Sequence, residues 1–152
     1  MNDALILQLH DEAFAIDARQ VQEILELVPV TQVPGAPACL DGVINVRGRI
    51  VPLADLRVLF GMPCAKADVN TRIVVVELTL DGEPMMIGII ADAVREVTTI
   101  DPDAVEPPPR VGMRWPADFV QGIARHQERF VVLPCLPRIF ASIASGEPAA
   151  LL

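Results

Sequence analysis

The sequence predicts an all-β fold, an antiparallel chain that folds into closed barrels. Short β-branched or apolar runs bounded by turn residues recur along its whole length, whereas helical signals are confined to two segments. The second half of the chain also repeats the pattern of the first half, which indicates two copies of one unit. With 152 residues, 52% of them hydrophobic, the chain is long enough to bury a sizeable apolar core.

About ten strands are predicted from these runs. Asp81-Gly82 separates two of them and signals a hairpin, because glycine supplies the positive φ of a tight turn. In chain order the predicted strands are Ala4 to Leu9, Ala13 to Ile16, Val21 to Leu27, Gly42 to Val46, Ile50 to Leu53, Arg72 to Leu80, Met85 to Ile90, Val94 to Ile100, Val120 to Ala124 and Phe130 to Leu133.

Two short helices are predicted, one after each of two strand pairs. The first runs from Asp55 to Phe60, with Asp55 as its N-cap and a glycine just past its end. The second runs from Arg138 to Ala144, with Pro137 in the first turn, where the missing N–H of proline costs nothing.

The internal repeat is the most informative feature of the sequence. Residues 42–60 align with residues 122–140 without a gap, with six of 19 positions identical, and residues 14–24 align with residues 87–97. The matches occur in the same order at nearly equal offsets, 80 and 73 residues. Chance similarity between aliphatic segments is an alternative for the shorter match and is weaker for the longer one. We therefore predict two units, at about 1–62 and 70–145, that share an apolar seam because neither has much core of its own. The identical pairs are Gly42 and Gly122, Arg49 and Arg129, Val51 and Val131, Leu53 and Leu133, Leu56 and Leu136, Phe60 and Phe140, and, in the shorter match, Ile16 and Ile89, Ala18 and Ala91, Val21 and Val94, and Glu23 and Glu96.

The two units diverge at one predicted hairpin turn. The first unit has Asn-Val-Arg-Gly at 45–48, and the second has Arg-His-Gln-Glu at 125–128. Gly48 suits a positive φ and Asn45 can brace the turn through its side chain. Arg47 would project at the turn's edge, where it either forms an ion pair with Asp41 or Glu23 or contacts a partner. The sequence leaves both alternatives open.

Charge and composition argue against a nucleic-acid partner. The formal net charge is −8 and the aromatic fraction is 4%, so the chain lacks both a basic surface and stacking platforms. The charge is uneven: residues 1–40 carry −5 and residues 73–110 carry −6, whereas residues 41–72 carry +2 and residues 111–152 carry +1. The basic middle is interpreted as a solvated face with a few ion pairs.

The sequence also argues against insertion into a membrane. The longest apolar stretch, Met85 to Ala91, is far shorter than the roughly 20 residues of a spanning helix. No basic residue precedes the apolar run near the N-terminus, so this run is interpreted as a strand and not as a signal peptide. Cys39, Cys64 and Cys135 have no CxxC spacing, which suits a reducing cytoplasm.

No catalytic or metal-ligating set is predicted, and no cofactor is expected. His10 and His126 are the two histidines, and neither has a nucleophile and a carboxylate arranged around it. The chain contains no P-loop, GxGxxG, GxSxG or HExxH motif. Asp101-Pro-Asp103 resembles the start of a calcium loop but lacks the later glycine and glutamate.

The densest motif, residues 33–57, reads Val-Pro-Gly-Ala-Pro-Ala-Cys-Leu-Asp-Gly-Val-Ile-Asn-Val-Arg-Gly-Arg-Ile-Val-Pro-Leu-Ala-Asp-Leu-Arg. It resembles the CheW family, the coupling proteins of bacterial chemosensory arrays, and residues 14–24 and 87–97 resemble the crossing strands of that family. The resemblance runs over nearly the whole length. It implies a single CheW-like domain over residues 1–152, made of two interleaved five-stranded β-barrels on a common hydrophobic seam.

The resemblance implies a non-enzymatic adaptor that bridges the cytoplasmic tips of chemoreceptors and the regulatory domain of the histidine kinase CheA. Such a protein would be cytoplasmic and recruited to membrane receptor arrays by its partners. The kinase contact is expected on apolar edge residues of the second unit, with none assigned individually. The alternative is a small-ligand-sensing or enzymatic β-barrel protein. The receptor-binding residues implied by the resemblance are Val21, Glu23, Gly42, Asn45, Arg47 and Gly48.

Overall fold

The computed structural model describes residues 3–109 and 116–144, and in this part of the chain it contains ten strands and two α-helices. Three short 3-10 turns, at Ala18–Gln20, Pro102–Ala104 and Ala117–Phe119, connect some of these elements. The elements are β1 (Asp3–Leu9), β2 (Glu12–Asp17), β3 (Val21–Leu25), β4 (Leu40–Val46), β5 (Arg49–Ala54), α1 (Leu56–Leu59), β6 (Arg72–Leu80), β7 (Glu83–Ala91), β8 (Ala93–Thr99), β9 (Val120–His126), β10 (Arg129–Pro134) and α2 (Leu136–Ala144).

The all-β prediction is confirmed, and every predicted strand is present with ends shifted by a few residues. The strands form two five-stranded sheets. Sheet A has the order β8-β1-β2-β10-β9, and sheet B has the order β3-β6-β7-β5-β4. Both predicted helices are present: α1 directly follows the hairpin β4–β5, and α2 directly follows the hairpin β9–β10. Asp55 caps α1 by accepting a hydrogen bond from the backbone N–H of Arg57. Helix α2 begins at Leu136, so Pro137 lies in its first turn.

Each sheet combines strands from both repeat units. Sheet A takes the hairpin β1–β2 from the first unit and β8, β9 and β10 from the second, whereas sheet B takes β6–β7 from the second unit and β3, β4 and β5 from the first. If the five strands of each unit are numbered in order, the two sheets have the same strand order. The two units therefore exchange their first hairpins: β1–β2 of the first unit completes sheet A, and β6–β7 of the second unit completes sheet B.

The prediction of a purely antiparallel chain was wrong at two places. Strand β10 pairs with β2 in parallel, with Val131 opposite Ala13, and β5 pairs with β7 in parallel, with Leu53 opposite Gly88. These pairings join a strand of one unit to the exchanged hairpin of the other. Parallel neighbours need a long connection, and the exchange provides one, because the paired strands are far apart in the chain.

Strict alternation along the exchanged hairpins divides the core into three clusters. One face of each hairpin fills the interior of a barrel. Ile6 of β1 packs in one cluster with Val131 of β10 in sheet A, and Val75 of β6 packs in another with Val51 of β5 in sheet B. The other faces meet in one shared cluster, which we call the seam. The seam contains Leu5, Leu7, Leu9, Phe14 and Ile16 from sheet A, Val74, Val76, Leu78, Ile87 and Ile89 from sheet B, and residues in or directly after the helices, including Leu56, Phe60, Leu136, Ile139 and Phe140.

Two glycines mark places where the chain crosses close to itself. Thr31 exchanges backbone hydrogen bonds of 2.9 and 2.8 Å with Val43, and a Cβ on the adjacent Gly42 would lie 2.1 Å from the carbonyl oxygen of Thr31. In the second unit, Glu106 bonds Ile123 in the same way, and a Cβ on Gly122 would lie 2.9 Å from the carbonyl oxygen of Glu106. The identical pair Gly42 and Gly122 therefore has a structural reason.

Because of the chain crossing, an alanine substitution should lower the free energy of unfolding more at Gly42 than at a glycine away from the crossing. Gly42→Ala is expected to destabilise the fold by more than about 3 kcal/mol, because strain at its positive φ of 147° adds to a backbone clash. Gly82→Ala is the control, since Gly82 also has a positive φ, 80°, but a Cβ there meets open space. It is expected to cost about 1–2 kcal/mol. Urea unfolding would measure both, and equal losses would contradict the crossing as the cause.

Candidate functional site

The two edges of sheet B meet at an ion pair between two predicted site residues. Glu23 lies on edge strand β3, and Arg47 lies in the turn that follows the other edge strand, β4. The Nε and Nη2 atoms of Arg47 donate to Oε1 of Glu23 over 3.2 and 3.1 Å. The Arg47 side chain is nevertheless 80% exposed. Of the partners considered for Arg47, the structure selects Glu23, and it leaves the guanidinium open to solvent.

The turn that carries Arg47 is a two-residue hairpin turn. Arg47 and Gly48 have φ values of 52° and 81°, the pattern of a type I′ turn. The side-chain Oδ1 of Asn45 accepts a hydrogen bond of 2.8 Å from the backbone N–H of Gly48, as the sequence predicts. Asn45, Arg47 and Gly48 are all exposed, so the braced turn holds the guanidinium on the surface.

The remaining two predicted residues have different surroundings. Val21 begins β3 opposite Val76 and packs partly against the seam, so its exposed part continues the apolar surface of the seam outwards. Gly42 is buried at the chain crossing and has no side chain to present. The structure thus brings Glu23, Asn45, Arg47 and Gly48 to one edge of sheet B, with Val21 nearby on the same strand as Glu23. Their role in receptor binding stays a prediction.

Sheet A contains a counterpart of this edge. Glu96 on β8 is the repeat equivalent of Glu23, and its Oε1 lies 2.7 Å from Nε2 of His126 on β9. The turn after His126 has φ values of 51° at Gln127 and 64° at Glu128. The two turns therefore share one backbone conformation although Glu128 replaces a glycine, and the units differ here in their side chains.

Exposed apolar residues flank both edges on the outer face of each sheet. Ile24 and Ile50 are 43% and 79% exposed beside the edge of sheet B. Their repeat equivalents, Val97 and Phe130, are 61% and 64% exposed beside the edge of sheet A. The face that forms the seam thus continues beyond it, on both sheets, as apolar side chains that no residue within 3–109 and 116–144 covers fully.

A buried ion network next to the seam was missed by the sequence analysis. Arg57 in α1 binds Asp55 through two hydrogen bonds of 2.9 Å, and its Nη1 lies 2.6 Å from Oδ1 of Asp92, between β7 and β8. The other oxygen of Asp92 accepts a 2.7 Å bond from the backbone N–H of His10, in the β1–β2 turn. The side chains of Arg57 and Asp55 are each 7% exposed. The network therefore ties the end of sheet B to a turn of sheet A.

The network sets the electrostatics around it. Hydrogen bonding to Asp55 is the largest cause that raises the pKa of Arg57, so its charge is permanent. Burial, with repulsion from Asp55, raises the pKa of the neighbouring Asp41. The Asp-x-Arg spacing at 55–57 could have signalled the pair, because the same spacing at 17–19 gives the same bonds, but Asp92 is 35 residues away from Arg57 and carries no local signal.

The described residues contain no group of three or more histidine, cysteine or acidic side chains arranged to hold a metal ion. His10 lies in the β1–β2 turn with its Nε2 3.3 Å from a carboxylate oxygen of Asp11. Within residues 3–109 and 116–144, no helix is both long and apolar enough to span a membrane.

Comparisons with known proteins agree with this architecture. A family model described as the CheW-like domain matches residues 3–144. The chain is 31% identical to the chemotaxis protein CheW of Klebsiella aerogenes over 91% of this chain and 81% of that protein, and 28% identical to that of Rhizobium meliloti over 92% and 88%. A crystal structure of the scaffolding protein TtCheW from Thermoanaerobacter tengcongensis superimposes with a TM-score of 0.81, at 33% identity, over 91% of this chain and 87% of that chain.

The buried network predicts a large difference between two arginines with the same local bonds. Arg57→Met is expected to lower the free energy of unfolding by about 3–5 kcal/mol, because it leaves Asp55 and Asp92 without a cation in a buried site. The matched control is Arg19→Met, since Arg19 binds Asp17 through the same Asp-x-Arg geometry but is 82% exposed, so little change is expected. Chemical denaturation would compare the variants, and equal effects would show that burial is not decisive.

Proposed function

The chain belongs to the CheW-like family of chemotaxis scaffold proteins, and on this premise we propose that it couples chemoreceptor cytoplasmic tips to the histidine kinase CheA. It does so as a non-enzymatic adaptor in the cytoplasm, and its partners recruit it to receptor arrays at the membrane. The observation that carries the proposal is the edge of sheet B, where a braced turn holds an exposed arginine beside an apolar surface.

The edge of sheet B suits the tip of a receptor helical hairpin. Val21 and Ile24 offer partly exposed aliphatic side chains on β3, which an amphipathic helix can bury. Arg47 offers free guanidinium donors next to them, because Glu23 engages two of its N–H groups through one carboxylate oxygen. The apolar residues would supply the burial, and Arg47 with Glu23 would fix the orientation and register of the helix.

The kinase is proposed to bind a different surface, the outer face of sheet A. A protein that bridges two partners needs two sites, and the repeat supplies a second edge of the same design. Val97 and Phe130 are exposed there, and small interfaces draw most of their binding energy from a few desolvated apolar anchors. Because the resemblance implies that the kinase regulatory domain is itself CheW-like, the contact would join related folds.

Receptor binding should depend on the first unit and not on the second. Arg47→Ala and Val21→Asp are each expected to weaken binding of a purified receptor cytoplasmic fragment by about tenfold or more. The matched controls are their repeat equivalents, Gln127→Ala and Val94→Asp, of which Val94 also packs partly against the seam. Isothermal titration would measure the affinities, with urea midpoints to confirm folding. The site assignment fails if Arg47→Ala and Val21→Asp both bind normally.

The two partners should bind at the same time. A receptor fragment titrated into a preformed complex of this protein with the CheA regulatory domain is expected to give a ternary complex, because the two edges lie on different sheets. Analytical ultracentrifugation would detect the ternary species by its mass. Strict mutual exclusion of the two partners would contradict the bridging mechanism.

A further inference from the structure

Among the described strands, the chain passes from one sheet to the other at two junctions. Strand β7 of sheet B ends at Ala91 and β8 of sheet A begins at Ala93, so Asp92 alone connects them. We call Asp92 the short junction. At the long junction, residues 18–20 connect β2 of sheet A to β3 of sheet B. The repeat alignment, with its offset of 73 residues, places Asp92 opposite Arg19, so the two junctions occupy equivalent positions.

The two carboxylate oxygens of Asp92 bind different sheets. Oδ1 accepts a hydrogen bond of 2.6 Å from Nη1 of Arg57, in the helix that follows β5 of sheet B. Oδ2 accepts a hydrogen bond of 2.7 Å from the backbone N–H of His10, in the β1–β2 turn of sheet A. The backbone N–H of Asp92 donates to the carbonyl oxygen of Gln8 on β1 over 2.9 Å. Asp92, whose side chain is 17% exposed, is therefore a clamp between the sheets as well as their covalent link.

At the long junction, the charged residue is paired within its own segment. Arg19 binds Asp17, two residues earlier, through Nε and Nη2, and its side chain is 82% exposed. The repeat equivalent of Arg57 is Pro137, which offers no charge on this side of the seam. In the part of the chain that the structure describes, no ion pair joins the sheets at this junction. The ionic clamp thus belongs to the short junction.

The clamp adds a kind of constraint that the apolar seam lacks. The hydrophobic effect is non-directional, and packed elements can shift past one another in small sliding movements. Hydrogen bonds, in contrast, weaken steeply when their geometry departs from linear, and those between charged groups are the strongest. Displacing one sheet against the other would stretch or bend the bonds of Asp92 to Arg57 or to His10. The clamp therefore favours one relative orientation of the sheets.

We propose that Asp92 is a positioning residue that holds the two sheets at one angle. The proposed receptor surface lies on sheet B and the proposed kinase surface lies on sheet A, so this angle sets the orientation in which the two partners face each other. Without the clamp, the sheets turn slightly about the seam, and the partners bind as before but in no fixed relation. The functional half of this inference rests on the proposed adaptor function, whereas the geometric half does not.

The most informative variant is Asp92→Asn, because an amide has one acceptor oxygen where a carboxylate has two. Its side chain keeps its size and can accept from Arg57 or from the backbone of His10, but not from both. Asp92→Ala removes both bonds, while Arg57 keeps its two hydrogen bonds to Asp55 and so remains paired. The matched control is Arg19→Ala, at the equivalent position of the long junction. Urea midpoints confirm that each variant is folded.

Residual dipolar couplings of the backbone amides test the geometry, because all parts of a rigid body in a weakly aligned sample share one alignment tensor. One tensor is expected to fit both sheets in the unaltered chain and in Arg19→Ala. Separate tensors are expected for sheet A and sheet B in both Asp92 variants, with each sheet unchanged internally. A single tensor in the folded Asp92 variants, or separate tensors in Arg19→Ala or the unaltered chain, would overturn the proposal. If Asp92→Ala does not fold, Asp92→Asn decides.

A second measurement tests the functional half. The Asp92 variants are expected to bind the receptor fragment and the kinase regulatory domain with unchanged affinities, because neither proposed surface includes Asp92. In complexes with the receptor fragment and the whole kinase, they should lose the receptor-dependent change in kinase autophosphorylation. If that change persists, the functional half is wrong. If the unaltered chain binds neither partner, the proposed function itself fails, and the dipolar couplings still decide the geometry.

Discussion

The exchange of one hairpin between the repeat units is the constraint on which the rest of the structure depends. Hairpins β1–β2 and β6–β7 are apolar on both faces, with one face inside a barrel and the other in the seam. Neither unit can bury its hairpin by itself, because the strands that complete each sheet come from the other unit. The two sheets therefore form together, with both helices closing the same seam.

In each sheet the two edge strands come together through side-chain contacts. The central hairpins are fixed by burial, but the edge strands of each sheet are joined by polar pairs, Glu23 with Arg47 and Glu96 with His126. Partly exposed polar pairs of this kind stabilise a fold only slightly. The edges are therefore free to carry recognition, and the type I′ turn with its Asn45 brace holds one of these pairs on the surface at low structural cost.

Divergence between the units is concentrated at the same edges. The chain crossings at Gly42 and Gly122, the interior pair Val51 and Val131 and the seam pair Phe60 and Phe140 match between the units, since each is required by close packing. Arg47 and Gln127, or Asn45 and Arg125, differ because solvent imposes no such requirement. The buried network is a second asymmetry: Asp55 and Arg57 correspond to Cys135 and Pro137, so an ionic tie between the sheets exists on one side of the seam.

The sequence by itself determined the strands, both short helices, the repeat and the braced turn, because each depends on local periodicity, capping or turn chemistry. It also offered Glu23 as one possible partner of Arg47, whereas the candidate receptor-binding residues came from the resemblance to the CheW family. Tertiary structure decided which hairpin pairs with which unit, the two parallel pairings and the burial of Gly42. It also decided that Asp92 reaches Arg57 and that Val97 and Phe130 stay exposed. These depend on contacts between residues far apart in the chain, and short aliphatic strands carry no sequence mark of the neighbour they will meet.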